Sequence, residues 1–578
     1  MFEILKTMNK IFFFCIVILN QLLNSQTLDI KTTKSVVFND GFNNTSVLFS
    51  DKTEEGNLVI VRSSKSNSMF YSNGLFIEEF DRDLKFKYSL DIEFKNPLHR
   101  KYTNLVSIFY HNNMIFFINV FYDLKQKAYV FGANKLSIKT KKLEFQELIV
   151  IKSNEFLEGE KLNIESLFNE NLKKIFIPTN GIFISSAKTS STQGEIINSS
   201  YLPHNERNSG FLFTKNNQRF LIGIDFSNEK NRKLKLFSFS LDGTLLKTDY
   251  IDEPTKVDQI GNFKFIDLLA NNSIIVVDKI HFKNESLFGK YKPSNYEVIK
   301  IENGTKQKII IDSKDQYVEN TNFKTTNNKL FLVGFSSKEK DYSYSGVYIN
   351  EINLDPFELI TSKNFEFSEQ LIIDKFGKSK NKELKNLKLR EIHLNNDNEI
   401  YINGEEEILK NNYNSGTSIV PNKTVSLSSN FNNVSMATNY QMINSYSNYE
   451  DLLCIKINDK RELIWSRIIN KKQSEENSFN SYTSFFKNED IFFIFNAKDK
   501  IKELKNNRIE FVSNGNNSNS NLMILKIDKN GNYNYQEILD KDENATPFMV
   551  SNGIKIDDSY YFYGVKNKKK QLLKIEMN

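Results

Sequence analysis

One pattern returns from Leu75 to the end of the chain: an apolar strand, a turn rich in Asp, Asn, Gly and Lys, then a second strand. It reads LFIEEFDRDLKFKYSLDIEF from Leu75, KLKLFSFSLDGTLLKTDYI from Lys233 and NYEVIKIENGTKQKIIID from Asn295. It reads DLLCIKINDKRELIWSRIINKKQ from Asp451 and NLMILKIDKNGNYNYQEILD from Asn521, with looser copies starting at Tyr129 and Gly346. Apolar strands flanking a polar turn read as a β-hairpin. Ahead of the hairpins stands another strand pair, whose turns HNN, ANN, TNN, NND and KNED recur at the same phase, each followed by a strongly apolar strand. Such a strand is expected to be buried on both faces.

Four antiparallel strands per unit, the second the most apolar, is the pattern of a β-propeller blade. The repeat is longer than the about 40–45 residues of a tight WD40-type blade, which predicts extended loops. The count is about eight blades, with seven the alternative. The last unit, SNGIKIDD, SYYFYGV and QLLKIEM, offers only three strands, while LDIKTTKSVVF near the N-terminus has no local hairpin partner. Pairing Leu28–Phe38 as the outer strand of the last blade would close the ring and remove two bare sheet edges. The domain expectation is therefore one all-β propeller over residues 26–578. It carries insertions at about 152–205, 368–390 and 409–449: the first with helical spacing and a Ser/Thr/Asn-rich tract, the second a helical excursion, the third a polar Asn/Ser/Tyr-rich loop within the sixth blade.

Composition agrees. Charged residues make up 26% and hydrophobic ones 39%, a globular balance. Phe (49) and Tyr (25) are abundant against one Trp and 8 Pro, which favours strands. The net charge of +6 is spread through turns beside acidic and Asn residues, without the basic stripe that nucleic acid requires. The densest basic run, KNKKKQ at Lys566–Gln571, reads as a solvated hairpin tip.

The first residues carry an export signal by their physics. Lys6 and Lys10 form a positive region, Ile11–Leu19 a short apolar one, and a polar stretch ends in the small residue Ser25 before Gln26. The apolar run is too short to span a bilayer. Residues 1–25 are read as a signal peptide and the mature protein as secreted, periplasmic or surface-bound, with no transmembrane helix and as a monomer. Cys15 falls within the signal, so the mature chain keeps Cys454 alone and has no internal disulfide. Cys454 lies in an apolar strand pattern and reads as a small buried hydrophobe. Trp465 reads as the large apolar residue on a blade's closing strand.

A search for chemistry finds little. None of His99, His111, His204, His281 and His393 makes a zincin pair. No G-x-S-x-G elbow, P-loop or dinucleotide fingerprint stands in its required context, so no catalytic, cofactor or metal residue is assigned. SLDGTLL at Ser240 has the outline of a sialidase Asp-box but lacks its register and its Trp. DKDEN from Asp540 and NNDNE from Asn395 could supply oxygens to calcium, yet both lack the distal bidentate Glu and suit ordinary turns. GEEE at Gly404–Glu407 reads as a solvated strand end relieved by Lys410, with a channel-facing cation site as the alternative.

The stretches NYEVIKIENG, LKLREIHLNNDNEIYINGEEE, DLLCIKINDKRELIWSRIINKKQ and NLMILKIDKNG resemble a group of uncharacterised exported repeat proteins common in Bacteroidetes. The resemblance covers most of residues 210–578. It implies an exported propeller-like protein and carries over no catalytic residues. The expected function is a non-catalytic interaction scaffold for an unidentified protein or glycan, without cofactor. The alternatives are a carbohydrate-active or other hydrolytic propeller enzyme, whose carboxylates would meet at the axis, and a glycan-binding lectin.

Overall fold

The computed structural model describes residues 28–577 apart from connecting segments, the longest of which are 66–74, 93–102, 153–181, 185–210, 283–292, 413–425 and 436–443. The proposed signal at 1–25, His99, His204 and most of the 152–205 insertion lie outside the described residues.

Eight four-stranded antiparallel sheets follow one another along the chain. Blade 1 comprises Asn44–Lys52, Leu58–Lys65, Leu75–Phe80 and Phe86–Ile92. Blade 2 comprises Thr103–His111, Met114–Asp123, Ala128–Ser137 and Leu143–Lys152. Blades 3 to 7 open with the strands Phe211–Lys215, Gln259–Leu268, Tyr317–Thr326, Leu387–Leu394 and Thr483–Lys487. First strands of adjoining blades touch one another in blades 1 and 2, 3 and 4, 5 and 6, and 8 and 1, which puts the first strand of each blade at the centre of the ring.

The core has one compartment per blade interface. An open row of eight blades has seven interfaces and a closed ring has eight. Among the described residues the buried apolar side chains fall into eight clusters, and each one bridges two adjoining blades. The cluster that closes the ring joins Leu58, Ile60 and Phe80 of blade 1 to Tyr563, Val565 and Leu572 of blade 8. The second strands supply much of this core. Asp490–Ala497 of blade 7 and Lys329–Ser337 of blade 5 are buried at all but their first residue. Cutting one such Ile or Phe to Ala costs about 2–5 kcal/mol.

Ring closure follows the expected route. Blade 8 consists of Ile554–Ile556, Ser559–Lys566, Lys569–Met577 and, as its outer strand, Ile30–Lys34, with Ile30 opposite Met577 and Lys34 opposite Leu573. The expected strand from Leu28 to Phe38 is broken after Lys34, where Val36 turns 83% exposed to solvent, and pairing resumes at Phe38–Asn39. Ser35 holds the break. Its hydroxyl accepts from the Leu572 amide at 2.9 Å, and its carbonyl accepts from Gln571 Nε2 at 3.0 Å.

Turn chemistry explains the recurring Asn and Asp. The turns between first and second strands place Asn112, Asn272, Asn328, Asn398 and Asn488 at φ between 48° and 66°. Asn tolerates that left-handed conformation better than other residues carrying a side chain. In blades 1, 6 and 7 the turn between third and fourth strands begins with an Asx residue whose side chain caps the loop. Asp81 Oδ1 accepts from the amides of Asp83 and Lys85 at 2.9 and 2.8 Å, and Asp528 Oδ1 from Asn530 and Asn532 at 2.8 and 2.9 Å. The motifs NNDNE and DKDEN do the same work. Asn395 Oδ1 accepts from Asp397 and Glu399 amides, and Asp540 Oδ1 from the Asp542 amide. SLDGTLL is the corresponding turn of blade 3, with Asp242 Oδ1 accepting from the Thr244 amide at 3.0 Å.

In the 368–390 stretch the helical part is helix α1, Glu369–Phe376, capped by Ser368 and ended by Gly377 at φ 73°. The strand Leu387–Leu394 begins inside that stretch and is the inner strand of blade 6. Likewise, the second and third strands of blade 6 pair as far as Asn412 and Asn444, so the insertion there starts later than residue 409. Helix α1 docks on blade 6: Asp374 accepts from Arg467 Nε at 2.6 Å, and Ser368 bonds Ser466.

Candidate functional site

The inner strands are where a propeller presents side chains to its axis, and here several carry charge within apolar sequence. Asp51 lies on blade 1, Lys215 on blade 3, Lys264 and Asp267 on blade 4, Glu319 and Lys324 on blade 5, and Arg390, Glu391 and His393 on blade 6. A bulge recurs on these strands. The register slips between Val47 and Phe49, Leu105 and Ser107, Phe263 and Phe265, Glu319 and Asn322, and Leu389 and Glu391. A bulge frees one residue from the pleat and re-aims its side chain. In blade 4 that residue is Lys264 and in blade 6 it is Arg390.

The carboxylates Asp267 and Glu391 act as pins between blades. Asp267 is 3% exposed and accepts from the hydroxyl of Thr214 on blade 3, at 3.1 Å, and from that of Thr325 on blade 5. Burial raises its pKa, against the pull of those bonds and of Lys324. Glu391 accepts from the Ser484 hydroxyl of blade 7, and Ser484 Oγ also accepts from Asn403 Nδ2 at 3.0 Å.

The group Ser484, His393 and Glu391 has the residue types of a hydrolase relay. Such a relay needs the hydroxyl and the carboxylate on opposite imidazole nitrogens. Here His393 Nε2 lies 3.2 Å from Glu391 Oε2 and 3.3 Å from Ser484 Oγ, so both partners meet the same nitrogen. The hydroxyl donates directly to the carboxylate, and no relay is built.

Three inner-strand lysines stand apart. Lys215, Lys264 and Lys324 are half-buried, on consecutive blades. Burial lowers the pKa of all three. For Lys264 it falls to about 8, because burial and the neighbouring Lys279 charge outweigh Glu319, Asp278 and Asp225. Asp51 offsets the effect for Lys215, and Glu391 and Asp267 offset it for Lys324. Lys264 keeps partial exposure although protein surrounds most of it, which is why partial exposure and a strong burial effect coexist.

The remaining sequence candidates fall elsewhere. His111 ends the inner strand of blade 2, and His281 on blade 4 shares a hydrogen bond with Ser294 at 2.9 Å. Cys454 is 1% exposed, its thiol donating to Asn403 Oδ1 at 3.4 Å, and burial pushes its pKa far up. Trp465 sits on the outer strand of blade 6, in the core shared with blade 7. Its indole N–H donates to the Lys529 carbonyl at 2.9 Å, and a Cβ on Gly531 would come within 2.9 Å of its ring. Lys566–Lys569 forms the expected hairpin tip, although Lys570 is buried.

The GEEE reading needs correcting. Glu405, Glu406 and Glu407 lie inside the second strand of blade 6 and are not a solvated strand end. Each is met by a cation from another element. Lys471 reaches Glu405 at 2.7 Å with both side chains fully buried, Lys375 of α1 reaches Glu406 at 2.5 Å, and Lys388 reaches Glu407 at 2.7 Å. Arg390 bridges Glu405 and Glu407 at 3.2 and 3.3 Å.

Sequence reasoning passed over Lys215, Lys264, Lys324, Asp267, Glu391 and Ser484. A usable signal was present: in FTKNN, FKFIDLLANN, FKTTNN and REIHLNND a charge interrupts an apolar strand just before the recurring Asn turn. Among the described residues, no group of three or more His, Cys, Asp or Glu is placed to hold a metal ion, and no helix is long and apolar enough to cross a membrane.

No protein-family model and no curated protein matches the chain. Among solved structures it is similar to the β-propeller domain of the Trilobed protease from Pyrococcus furiosus, at 9% identity and TM-score 0.30, over 88% of this chain and 98% of that one. It is similar to the polysaccharide lyase Uly1 at 8% identity and TM-score 0.33, over 82% and 90% of the two chains. A third likeness is the α-L-arabinofuranosidase arb93a from Fusarium graminearum, at 12% identity and TM-score 0.29, over 64% and 92%. These likenesses are remote, and the eight-bladed propeller rests on the strand pairing of this chain itself.

Proposed function

We propose that this protein is an exported β-propeller that works by binding a ligand or partner at its axis and not by catalysis. The observation that carries the reading is the employment of Asp267 and Glu391: both carboxylates are tied to hydroxyls of neighbouring blades, where they hold the ring together. A general acid or base needs its oxygen free to reach substrate. The N-terminal pattern of Lys6, Lys10 and Ile11–Leu19 supports export. Intact-mass analysis of exported material should show residues 1–25 removed, and retention of Met1 or Met8 would overturn that part.

A hydrolytic enzyme is the second reading, favoured by the gathering of Asp51, Asp267, Glu391 and His393 on inner strands. Incubation with panels of oligosaccharides, peptides and esters separates the two. The binding reading expects no turnover. Turnover abolished by Glu391→Gln or Asp267→Asn would overturn it.

A further inference from the structure

Fully buried lysines elsewhere in the molecule are paired. Lys279 bonds Glu319 at 2.9 Å, Lys300 bonds the Leu354 carbonyl at 2.9 Å, Lys456 bonds Glu399 at 2.9 Å, and Lys471 bonds Glu405 at 2.7 Å. The ammonium groups of Lys215, Lys264 and Lys324 make no hydrogen bond or ion pair among the described residues; Lys215 lies over the Phe109 ring at 5.9 Å. The carboxylates in their vicinity are engaged with other donors: Asp51 with the Lys52 amide and Asp225 with the Ser227 amide, each at 2.8 Å, Asp267 with two threonines, Glu391 with Ser484, Glu319 with Lys279, and Asp278 with Arg232 at 2.7 Å. A cation taken partly out of water without a partner costs stability. Three of them stand on the inner strands of consecutive blades.

Their depths differ. Lys215 is the last residue of its strand, Lys324 stands two residues before the end of its own at Thr326, and Lys264 four before Leu268. At about 3.3 Å per residue the three are staggered over roughly 13 Å of channel. Anionic groups spaced along an extended molecule match that stagger better than a single ion.

We infer that Lys215, Lys264 and Lys324 form a binding site for an extended polyanion, a small linear ligand bearing several carboxylate or phosphate groups. The inference rests on the binding reading above for the place of the ligand. Ammonium groups act as point charges toward either class of oxyanion. Carboxylates on a sugar chain and phosphates in a chain share the chemistry, and the test tells them apart.

The experiment is isothermal titration calorimetry of the full exported chain with trigalacturonate and, separately, inorganic tripolyphosphate, at two salt concentrations. One of the two is expected to bind with one-to-one stoichiometry and to weaken as salt rises. Lys215→Gln, Lys264→Gln and Lys324→Gln should each weaken binding by roughly tenfold or more. Lys142→Gln, in an exposed outer turn, should leave it unchanged. Thermal melting of each variant shows that loss of binding is not loss of fold. If neither probe binds up to millimolar concentration, or if all three folded variants bind as the parent does, the polyanion site is overturned while the non-catalytic reading stands. If a bound probe is instead cleaved, releasing reducing ends or orthophosphate, the site stands and the non-catalytic reading falls.

Discussion

In blade 6, Glu405, Glu406 and Glu407 run consecutively through a buried strand, and Lys471, Arg390, Lys375 and Lys388 converge on them from three other elements. Across blades 3 to 5, the half-buried Lys215, Lys264 and Lys324 have carboxylates nearby but make no ion pair among the described residues. The two regions share one scaffold but occupy different strands, the second strand of blade 6 and the inner strands of blades 3 to 5. Where charge is fully matched, removing a partner is what costs stability, because the survivor is left buried and alone. Where charge is unmatched, the folded protein already bears that cost, and a matching ligand would relieve it.

The largest expected effect comes from breaking the matched side. Glu405→Ala removes the carboxylate that pairs with Lys471, leaves Arg390 with Glu407 alone, and strips its acceptor from the Ser481 hydroxyl, which donates to Glu405 Oε2 at 2.6 Å. The loss should be about 3–5 kcal/mol in a denaturant titration. Lys471→Ala should approach the same figure, and the double variant should lose clearly less than the two singles together. Additive losses would mean that the pair does not act as a unit.

Next comes pH on the unmatched side. Lys264 titrates at about 8 in the folded protein against an ordinary 10.5, so between those values the unfolded chain binds the more protons. The penalty from this group is full below about pH 8 and vanishes above 10.5, and stability from it rises with pH through that window. The shift corresponds to about 3 kcal/mol. Denaturation of the parent and of Lys264→Met at pH 7.5 and pH 10 should show the variant more stable at the lower pH and the gap closing at the higher. A gap independent of pH would show that Lys264 is not held as an unmatched cation.

A smaller effect is expected when Lys215 or Lys324 is replaced by Met. Stability should stay within about 1 kcal/mol of the parent or rise, the opposite of the blade 6 result. A loss of several kcal/mol would erase the contrast between the regions.

Cys454 provides the finest probe. Its thiol is buried beside Asn403 on the strand next to the Glu cluster, and burial raises its pKa. Native protein should resist a thiol reagent at neutral pH for hours. Labelling should quicken in Lys471→Ala and stay slow in Lys264→Met. Equal rates in both would show that the two regions open together.

Much of the ring was legible in advance, and the reason is local. Alternating apolar residues, Asx residues that cap a four-residue turn, and Asn at left-handed positions are properties of short segments, so FDRDLKF, INDKREL and IDKNGNY each announce a hairpin alone. The short C-terminal unit and the unattached N-terminal strand announced closure by subtraction. One misjudged strand feature, the break at Ser35, depends on a hydrogen bond to Leu572 that no local pattern contains.

The candidate site was far less legible. GEEE looks like a solvated end when only its neighbours in sequence are considered, because Lys471 is 66 residues from Glu405 and Arg461 is 110 residues from its partner Glu351. Whether a charge on an inner strand finds a counter-ion is set by the adjoining blade, which a turn, an insertion and a closed ring bring alongside. The sequence by itself determined the blades, their order and their closure, since hydrophobic alternation and turn chemistry act within about ten residues. Only the tertiary structure decided which charges within the fold are paired and which are not, since electrostatic pairing depends on distances across blade interfaces and not along the chain.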